Sequence, residues 1–408
     1  MRAPKSHRAA AVVIGLDSIT GLQTARLLAT RGVEVIALAG DRSHFACRTR
    51  VCRRIIFGPT SGDGLIERLA SLRETVDVDP ALIPCSDAAV TTLSDRRDRL
   101  SGYAYALPDR QVVATMMDKA RFHRYAEAMG LPVPRTVVLA DLADARAAAG
   151  DLRYPAVLKP ASKGPTWHRH TREKAYLVHD ERELLARYRT CAAWSTTLLA
   201  QEWIPGPETN HFTCNCYFDR NSVPLVTFVS RKLRQWPPRT GTGCLSEEVR
   251  NDDVLRETLR LFAGIQYQGF GYLELKADER TGRLSIVEPN IGRPTGRSAI
   301  AEAGGVELLY TAYCDLVGLP LPAARTQRYV GAKWIYARQD LQSALHYWRR
   351  RELGIRPWWR SLRGRKVDAV FSRSDPLPFA ADLVRVAQRA WRRAVVGSDA
   401  RPTELRDA

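Results

Sequence analysis

Apolar runs at residues 11–16 (AVVIGL) and 33–38 (VEVIAL) flank a segment, Thr20 to Arg31, in which Leu22, Ala25, Leu28 and Ala29 recur at helical spacing. The pattern predicts a strand, a helix and a second strand. It repeats more weakly as a helix at Gly64 to Arg73, a strand at Ala81 to Cys85, a helix at Asp87 to Arg97 and a strand at Tyr103 to Leu107. Such alternation predicts a small, largely parallel, Rossmann-like sheet. Gly15 and Gly21 are the only glycines in the first strand-to-helix turn, so the GxGxxG dinucleotide fingerprint is absent. This argues against a nicotinamide-binding role.

A second region opens on a helix, Lys119 to Met129, and its stop signal, Gly130-Leu131-Pro132-Val133-Pro134. Strand Thr136 to Leu139, an alanine-rich helix and strand Pro155 to Pro160 follow. From Leu198 to Val287 strands dominate, with one helix at Val254 to Ile265, which predicts an α+β arrangement with antiparallel sheets. After Pro322 the chain turns strongly basic and aromatic. The division expected is therefore 1–112, 113–322 and 323–408, with no internal repeats.

At 408 residues the chain exceeds one ordinary domain, and its 45% hydrophobic and 26% charged content excludes a disordered or fibrous protein. No uninterrupted apolar stretch is long enough to cross a bilayer. The basic start before residue 11 has the order of a secretory signal, but the apolar run after it is short, is broken by Asp17 and lacks a small-residue cleavage pattern. It reads as a first strand. Eight scattered cysteines with no CxxC point to free, buried thiols in a reducing cytoplasm, Cys214 and Cys216 falling on one face of a strand. The net charge of +18 favours polyanionic partners: nucleotides, sugar phosphates, nucleic acid or an anionic membrane surface.

Three constellations carry chemistry. In Tyr154 to Pro160 a buried strand ends in Lys159, which suits phosphate contact, although a strand-edge lysine reaching solvent is the commoner arrangement. In Gln201 to Glu208 a strand meets a tight Pro-Gly turn; backbone at Trp203 and Ile204 could read an adenine edge while Glu208 accepts from ribose hydroxyls. The ordinary reading is a β-turn with a solvated acid. Third, Glu274 precedes a turn at Asp278 to Gly282, and Glu288 and Asn290 stand on the returning strand. A hairpin closed there sets two carboxylates and an amide oxygen together as a partial hard-cation site.

Taken in order, these elements resemble the ATP-grasp superfamily, which includes D-alanine:D-alanine ligase, biotin carboxylase and carbamoyl-phosphate synthase. The resemblance spans residues 10 to 320. Within the superfamily the chain is most similar to carboxylate-amine ligases related to D-aspartate ligase, through Pro84-Cys85-Ser86-Asp87, Met117-Asp118-Lys119, Ser230 to Gln235 and Glu288 to Pro294. The resemblance implies a Rossmann-like pre-ATP-grasp domain, an ATP-grasp domain and a basic C-terminal extension, α/β and α+β in class. It implies an ATP-dependent ligase that forms an amide through an acyl phosphate and releases ADP and phosphate.

By the same resemblance Lys119 and Lys159 hold ATP phosphates. Gln201, Trp203 and Ile204 contact adenine, Glu208 contacts ribose, and Glu274, Glu288 and Asn290 bind Mg²⁺, two ions for which Mn²⁺ can substitute. The chain departs from the family in two places. The phosphate-covering loop, Ala161 to His170, has one glycine and is basic, and the arginine of the Glu-x-Asn-x-Arg run comes one place late, so Arg293 and Arg297 are both candidates for the transferred phosphoryl group.

Lys232 and Arg234, followed by Pro237, Pro238 and Gly241-Thr242-Gly243, look like a substrate loop whose cations stabilise the acyl phosphate and the tetrahedral oxyanion. The alternative is a basic surface turn. His168 and His170 read as loop cations, since a hard ion prefers oxygen. Between Asp340 and Lys366, Leu341, Ala344, Leu345 and Trp348 fall on one helical face, with Trp358, Trp359 and Leu362 among arginines. That face suits an anionic membrane surface, or docks on the ATP-grasp domain or a second subunit.

The partners expected are a small carboxylate and an amine, with a homodimer possible and no nucleic acid, no RNP, zinc-finger or helix-turn-helix pattern being found. A biotin-dependent carboxylase would share the metal and phosphate residues, but nothing here resembles a biotinyl domain. A non-catalytic ATP-binding protein would tolerate loss of an acid, whereas all three metal-site residues are present.

Overall fold

Four strands, β1 (Ala11–Ile14), β2 (Val35–Ala39), β3 (Arg54–Phe57) and β4 (Ala81–Pro84), lie parallel in the order β3-β2-β1-β4 in a computed structural model that describes residues 9–162, 165–171, 173–239 and 241–395. β1 and β2 are apolar and buried along their whole length, as a parallel sheet covered on both faces requires. The crossovers are α1 (Ile19–Ala29), α2 (Gly62–Arg73) and α3 (Asp87–Asp95). Ser18 and Ser86 cap α1 and α3, their hydroxyls accepting from the backbone N–H groups of Gly21 and Ala89. α1 lies so close to the turn before it that a Cβ on Gly21 would stand 2.2 Å from the Gly15 carbonyl oxygen. The strand expected at 103–107 is reduced to a single bridge between Ala104 and Ala81, because only Ala104 reaches the backbone of β4.

Helices α4 (Arg110–Met117) and α5 (Lys119–Ala128), capped by Asp109 and Asp118, lead into a second sheet. Its antiparallel strands, β5 (Thr136–Leu139), β6 (Ala156–Pro160), β7 (Tyr176–Val178) and β8 (Leu198–Glu202), run in the order β5-β8-β6-β7. α6 (Leu142–Asp151), α7 (Pro165–His170) and α8 (Glu181–Cys191) accompany it. The segment expected to be a phosphate-covering loop is therefore partly helical. Trp167 anchors it, fully buried with Leu139, Leu158 and Leu184, its Nε1 donating to the Glu173 carbonyl at 3.0 Å. His170 belongs to α7 and stacks on Trp194. The expectation for the His168 side chain, and for Lys163 and Gly164, lies outside the described residues.

The third sheet contains β9 (His211–Phe218), β10 (Pro224–Trp236), β11 (Thr242–Glu248), β12 (Gly269–Ala277), β13 (Leu284–Ile291), β14 (Lys333–Ile335) and β15 (Lys366–Asp368). Their order is β13-β12-β9-β10-β11-β14-β15, antiparallel except for the β14–β15 pair. α9 (Asp252–Gly264) buries Val254, Thr258, Leu261 and Phe262, one helical stripe, and α10 (Ala299–Ala303) and α11 (Leu308–Leu316) follow. Cys214 and Cys216 are buried in the same core, and all eight cysteines are free, Cys47 and Cys52 only half-buried.

The sheet continues past residue 322. β14 and β15 extend it, and α12 (Ala337–Arg349), α13 (Ile355–Ser361) and α14 (Leu377–Val395) complete the described chain. Trp334 of β14 enters the core beneath α1 and donates to Gln23 at 3.1 Å, while Arg26 of α1 forms a buried pair with Asp375 at 2.9 Å. The C-terminal region is thus built into both earlier units. Among the described residues no helix is long and apolar enough to cross a membrane.

Candidate active site

In the β12–β13 hairpin Glu274 lies opposite Glu288 and Tyr272 opposite Asn290. Opposed residues of an antiparallel pair share a face, as do residues two apart, so these four side chains are directed to one side of the sheet. That side lines a cleft of about 870 Å³, bounded also by the first turns of α1 and α3, by Lys119, by β6 and β8, and by Trp334 and Tyr336 of the C-terminal region.

A compact charge network forms its floor. One oxygen of Glu274 accepts from Lys232 at 3.1 Å and the other from Arg297 at 2.9 Å. Burial pushes the Glu274 carboxyl up, but Lys232 and Arg297 outweigh it and hold the group well below the usual carboxylate range. Burial pulls the Lys232 ammonium down, with Glu274 opposing. His211 Nδ1 lies 2.9 Å from Lys232 Nζ, and burial followed by that cation lowers the imidazole well below its ordinary value. That lowering favours the neutral imidazole, whose Nδ1 can accept a hydrogen bond from the Lys232 ammonium.

Arg293 spans the cleft. It donates to the Asp87 carboxylate at the start of α3, to the Tyr272 hydroxyl at 2.9 Å and to Asn290 Oδ1 at 3.3 Å. The Rossmann-like unit is thereby tied to the hairpin. Both candidate arginines face the same space, Arg297 against Glu274 and Arg293 between Asp87 and Asn290.

On the other wall Lys159 Nζ donates to Gln201 Oε1 at 2.8 Å, and Gln201 Nε2 donates to Thr136 Oγ1 at 2.7 Å. The chain of bonds orients the Gln201 amide. Lys119 Nζ stands 3.7 Å from Glu288, and Val133, Leu199 and Ile286 supply apolar surface. Such a wall accommodates a flat heterocycle beside a cationic end.

Glu274, Glu288 and Asn290 are oxygen donors of the kind Mg²⁺ takes. The Glu288 side chain is 40% exposed and lines the cleft, so its carboxylate oxygens fit a hard cation. The buried Asn290 amide nitrogen has no hydrogen-bond partner in the protein and is a donor, suited to an acceptor oxygen and not to the cation. Among the described residues no group of three His, Cys, Asp or Glu side chains forms a metal site.

Four expected site residues lie away from the cleft lining. The Trp203 N–H donates to the Pro155 carbonyl at 3.0 Å and its ring carries Lys276 at 4.5 Å, and neither it nor Ile204 lines the cleft. The Glu208 carboxylate accepts from the N–H groups of Gln235 and Arg239 and from the Tyr347 hydroxyl, leaving it committed to β10 and α12 rather than to a ribose. Arg234 is buried against Asp340 at 2.7 and 3.1 Å. The pairing with β11 shifts register between the two residues, Lys232 lying opposite Ser246 and Arg234 opposite Leu245, and Arg234 goes to Asp340 of α12 while Lys232 goes to Glu274.

Asp87, Tyr272 and His211 escaped the motif reading of single site residues. Asp87 lies within a quoted motif, and the period of two places Tyr272 beside Glu274. His211 gives no local signal, since only strand pairing brings it to Lys232.

The parallel sheet, the small antiparallel sheet and the large sheet bearing an acid hairpin over a cationic floor together make up the ATP-grasp fold. Among solved structures it is similar to N5-carboxyaminoimidazole synthetase from Staphylococcus aureus, with a TM-score of 0.60 and 14% identity over 79% of this chain and 81% of that one. It is equally similar in fold to the biotin carboxylase domain dimer of Hydrogenobacter thermophilus 2-oxoglutarate carboxylase, a complex with MgADP, ADP and bicarbonate, with a TM-score of 0.60 and 17% identity over 78% of this chain and 71% of that one. At such identity the likeness is one of fold.

Sequence relatives include the D-alanine--D-alanine ligase of Pseudomonas entomophila (strain L48), 27% identical over 184 residues, which is 43% of this chain and 55% of the relative. The D-aspartate ligase of Enterococcus faecium (strain Aus0004) is 24% identical over 233 residues, 53% of this chain and 54% of the relative. The chain spans about half the length of the curated relatives it matches. No protein-family model matches it.

Proposed function

We propose that this protein is an ATP-dependent carboxylate-amine ligase that forms an amide bond through an acyl phosphate and releases ADP and phosphate. The observation carrying this reading is the assembly in one cleft of Lys119 and Lys159, the Glu274–Glu288–Asn290 hairpin, and the cations Lys232, Arg293 and Arg297. The two sequence relatives, named D-alanine--D-alanine ligase and D-aspartate ligase, support it.

In this reading Lys119 and Lys159 meet phosphate oxygens, and Gln201 with Leu199 and Ile286 holds the adenine. Glu274, Glu288 and Asn290 would hold Mg²⁺, two ions for which Mn²⁺ would substitute, and the metal would supply positive charge against the phosphates. A carboxylate oxygen of the substrate attacks the γ-phosphorus while the bond to ADP breaks. The amine nitrogen then attacks the acyl carbon, phosphate leaves with the electron pair of the C–O bond, and the nitrogen gives up a proton. Lys232 and Arg297, already held by Glu274, and Arg293, held by Asp87 and Tyr272, are fixed donors aimed where negative charge develops. Being preorganised, they need little rearrangement as the charge forms. Glu208 and Arg234 take no part, since their polar atoms are engaged elsewhere.

The reading includes a small carboxylate and an amine as substrates, a homodimer, no nucleic acid, and a cytoplasmic location, peripheral on the inner face of the membrane. It is tested by screening amino acids and small carboxylates for MgATP-dependent ADP release, with hydroxylamine present to trap an acyl phosphate. AMP and pyrophosphate as products would overturn it.

A further inference from the structure

α12 is attached to the large sheet by its polar side. Asp340 accepts from Arg234 and from Trp358 Nε1 at 3.0 Å, and Tyr347 donates to Glu208 at 2.6 Å. The apolar side, which internal docking would have buried, faces outward. Leu341 is 48% exposed, Trp348 53%, Ile355 57% and Trp359 60%, around an open apolar groove of about 270 Å³ between α12 and α13. An exposed apolar patch held in place by buried polar bonds is a surface kept for a partner.

The surrounding charge selects among partners. Residues 341 to 366 contain eight arginines and lysines and one acid, Glu352. A second copy would bring two such fields together, which like-charge repulsion opposes. A strongly anionic surface is instead attracted. Trp348 and Trp359 are more than half exposed among these cations, the placement of indoles that insert at headgroup depth while arginines reach lipid phosphates.

We propose that the α12–α13 groove with its arginine rim is a docking site for an anionic phospholipid bilayer, binding the protein reversibly at the membrane surface. The site deepens the membrane location included above but rests on none of the ligase chemistry, since Trp348 and Trp359 do not line the cleft. Binding then has two separable parts: a cationic part that salt screens and an indole part that salt leaves in place.

The test is flotation of the full chain with phosphatidylglycerol vesicles, and with phosphatidylcholine vesicles for comparison, at low and high salt. The wild type floats with phosphatidylglycerol at low salt and not with phosphatidylcholine. Arg349→Glu with Arg356→Glu weakens flotation by at least roughly fivefold per cation removed. Trp348→Ser with Trp359→Ser reduces it at least tenfold and leaves MgATP-dependent ADP release unchanged, a result that also distinguishes failure of this site from failure of the ligase reading. A full chain that stays soluble with phosphatidylglycerol at low salt overturns the proposal, as does a tryptophan variant that floats like the wild type. A wild-type dimer that the tryptophan variant converts to monomer by light scattering would assign the groove to a second copy instead.

Discussion

Arg234 and Asp340 form a two-point ion pair in the protein interior, with side-chain exposures of 6% and 1%, joining β10 of the large sheet to the first turn of α12. Removing one partner of such a pair strands the other charge, at a cost of about 3–5 kcal/mol, whereas replacing both by apolar residues is often neutral. Asp340→Ala is therefore expected to lower the unfolding free energy by about 3–5 kcal/mol, and Arg234→Met with Asp340→Leu to restore most of it. Denaturant melts give the energies. Turnover per folded molecule is expected to survive in the double variant, and a folded double variant without activity would return Arg234 to the catalytic set.

Glu288 faces the cleft and lies 3.7 Å from Lys119. In the proposed reading Glu288 helps to hold Mg²⁺, whose loss would leave phosphate charge uncompensated, so Glu288→Gln is expected to reduce turnover by orders of magnitude, on the scale of about 100-fold or more for loss of a charge-stabilising group. The fold survives because the side chain is 40% exposed. Steady-state ADP release and a thermal melt read the two effects separately, and wild-type turnover in a folded variant would exclude the metal site.

Glu302 in α10 accepts from the Leu309 N–H through one oxygen at 3.0 Å, and its other oxygen is sealed from water without a partner. Burial raises its carboxyl from 4.5 to about 7. The sign follows from proton binding: between those values the unfolded chain gives up its proton while the folded chain keeps it, so stability falls as pH rises and the loss is complete above the folded value. At about 1.4 kcal/mol per unit the loss is on the order of 3 kcal/mol at most. Glu302→Gln is expected to melt higher than the wild type at pH about 8 and equally near the unfolded carboxyl value. Melts across the range that show a constant difference would mean that Glu302 is ionised throughout.

Much of the site was legible before folding because it obeys short periods. Glu288 and Asn290 are two apart on a strand, and the turn at Asp278 to Gly282 returns them opposite the strand bearing Glu274; a period of two with an antiparallel register leaves them one face to share. The apolar runs of β1 and β2 announced a parallel sheet because strands covered on both faces cannot carry polar side chains.

Other outcomes depended on contacts between distant residues. Arg234 is taken by Asp340, 106 residues later, and no spacing within β10 encodes that partner. Glu208 was an available acid until α12, 139 residues later, delivered the Tyr347 hydroxyl. The basic tail read as an appendage because its strands are only three residues long, too short for periodicity to reveal, yet pairing with β11 made them part of the sheet and left the tryptophan face outside. Local sequence determined which side chains could share a face, since covalent geometry sets the periods of strand and helix; only the tertiary structure decided which partners consumed their hydrogen bonds, because those partners come from elsewhere in the chain.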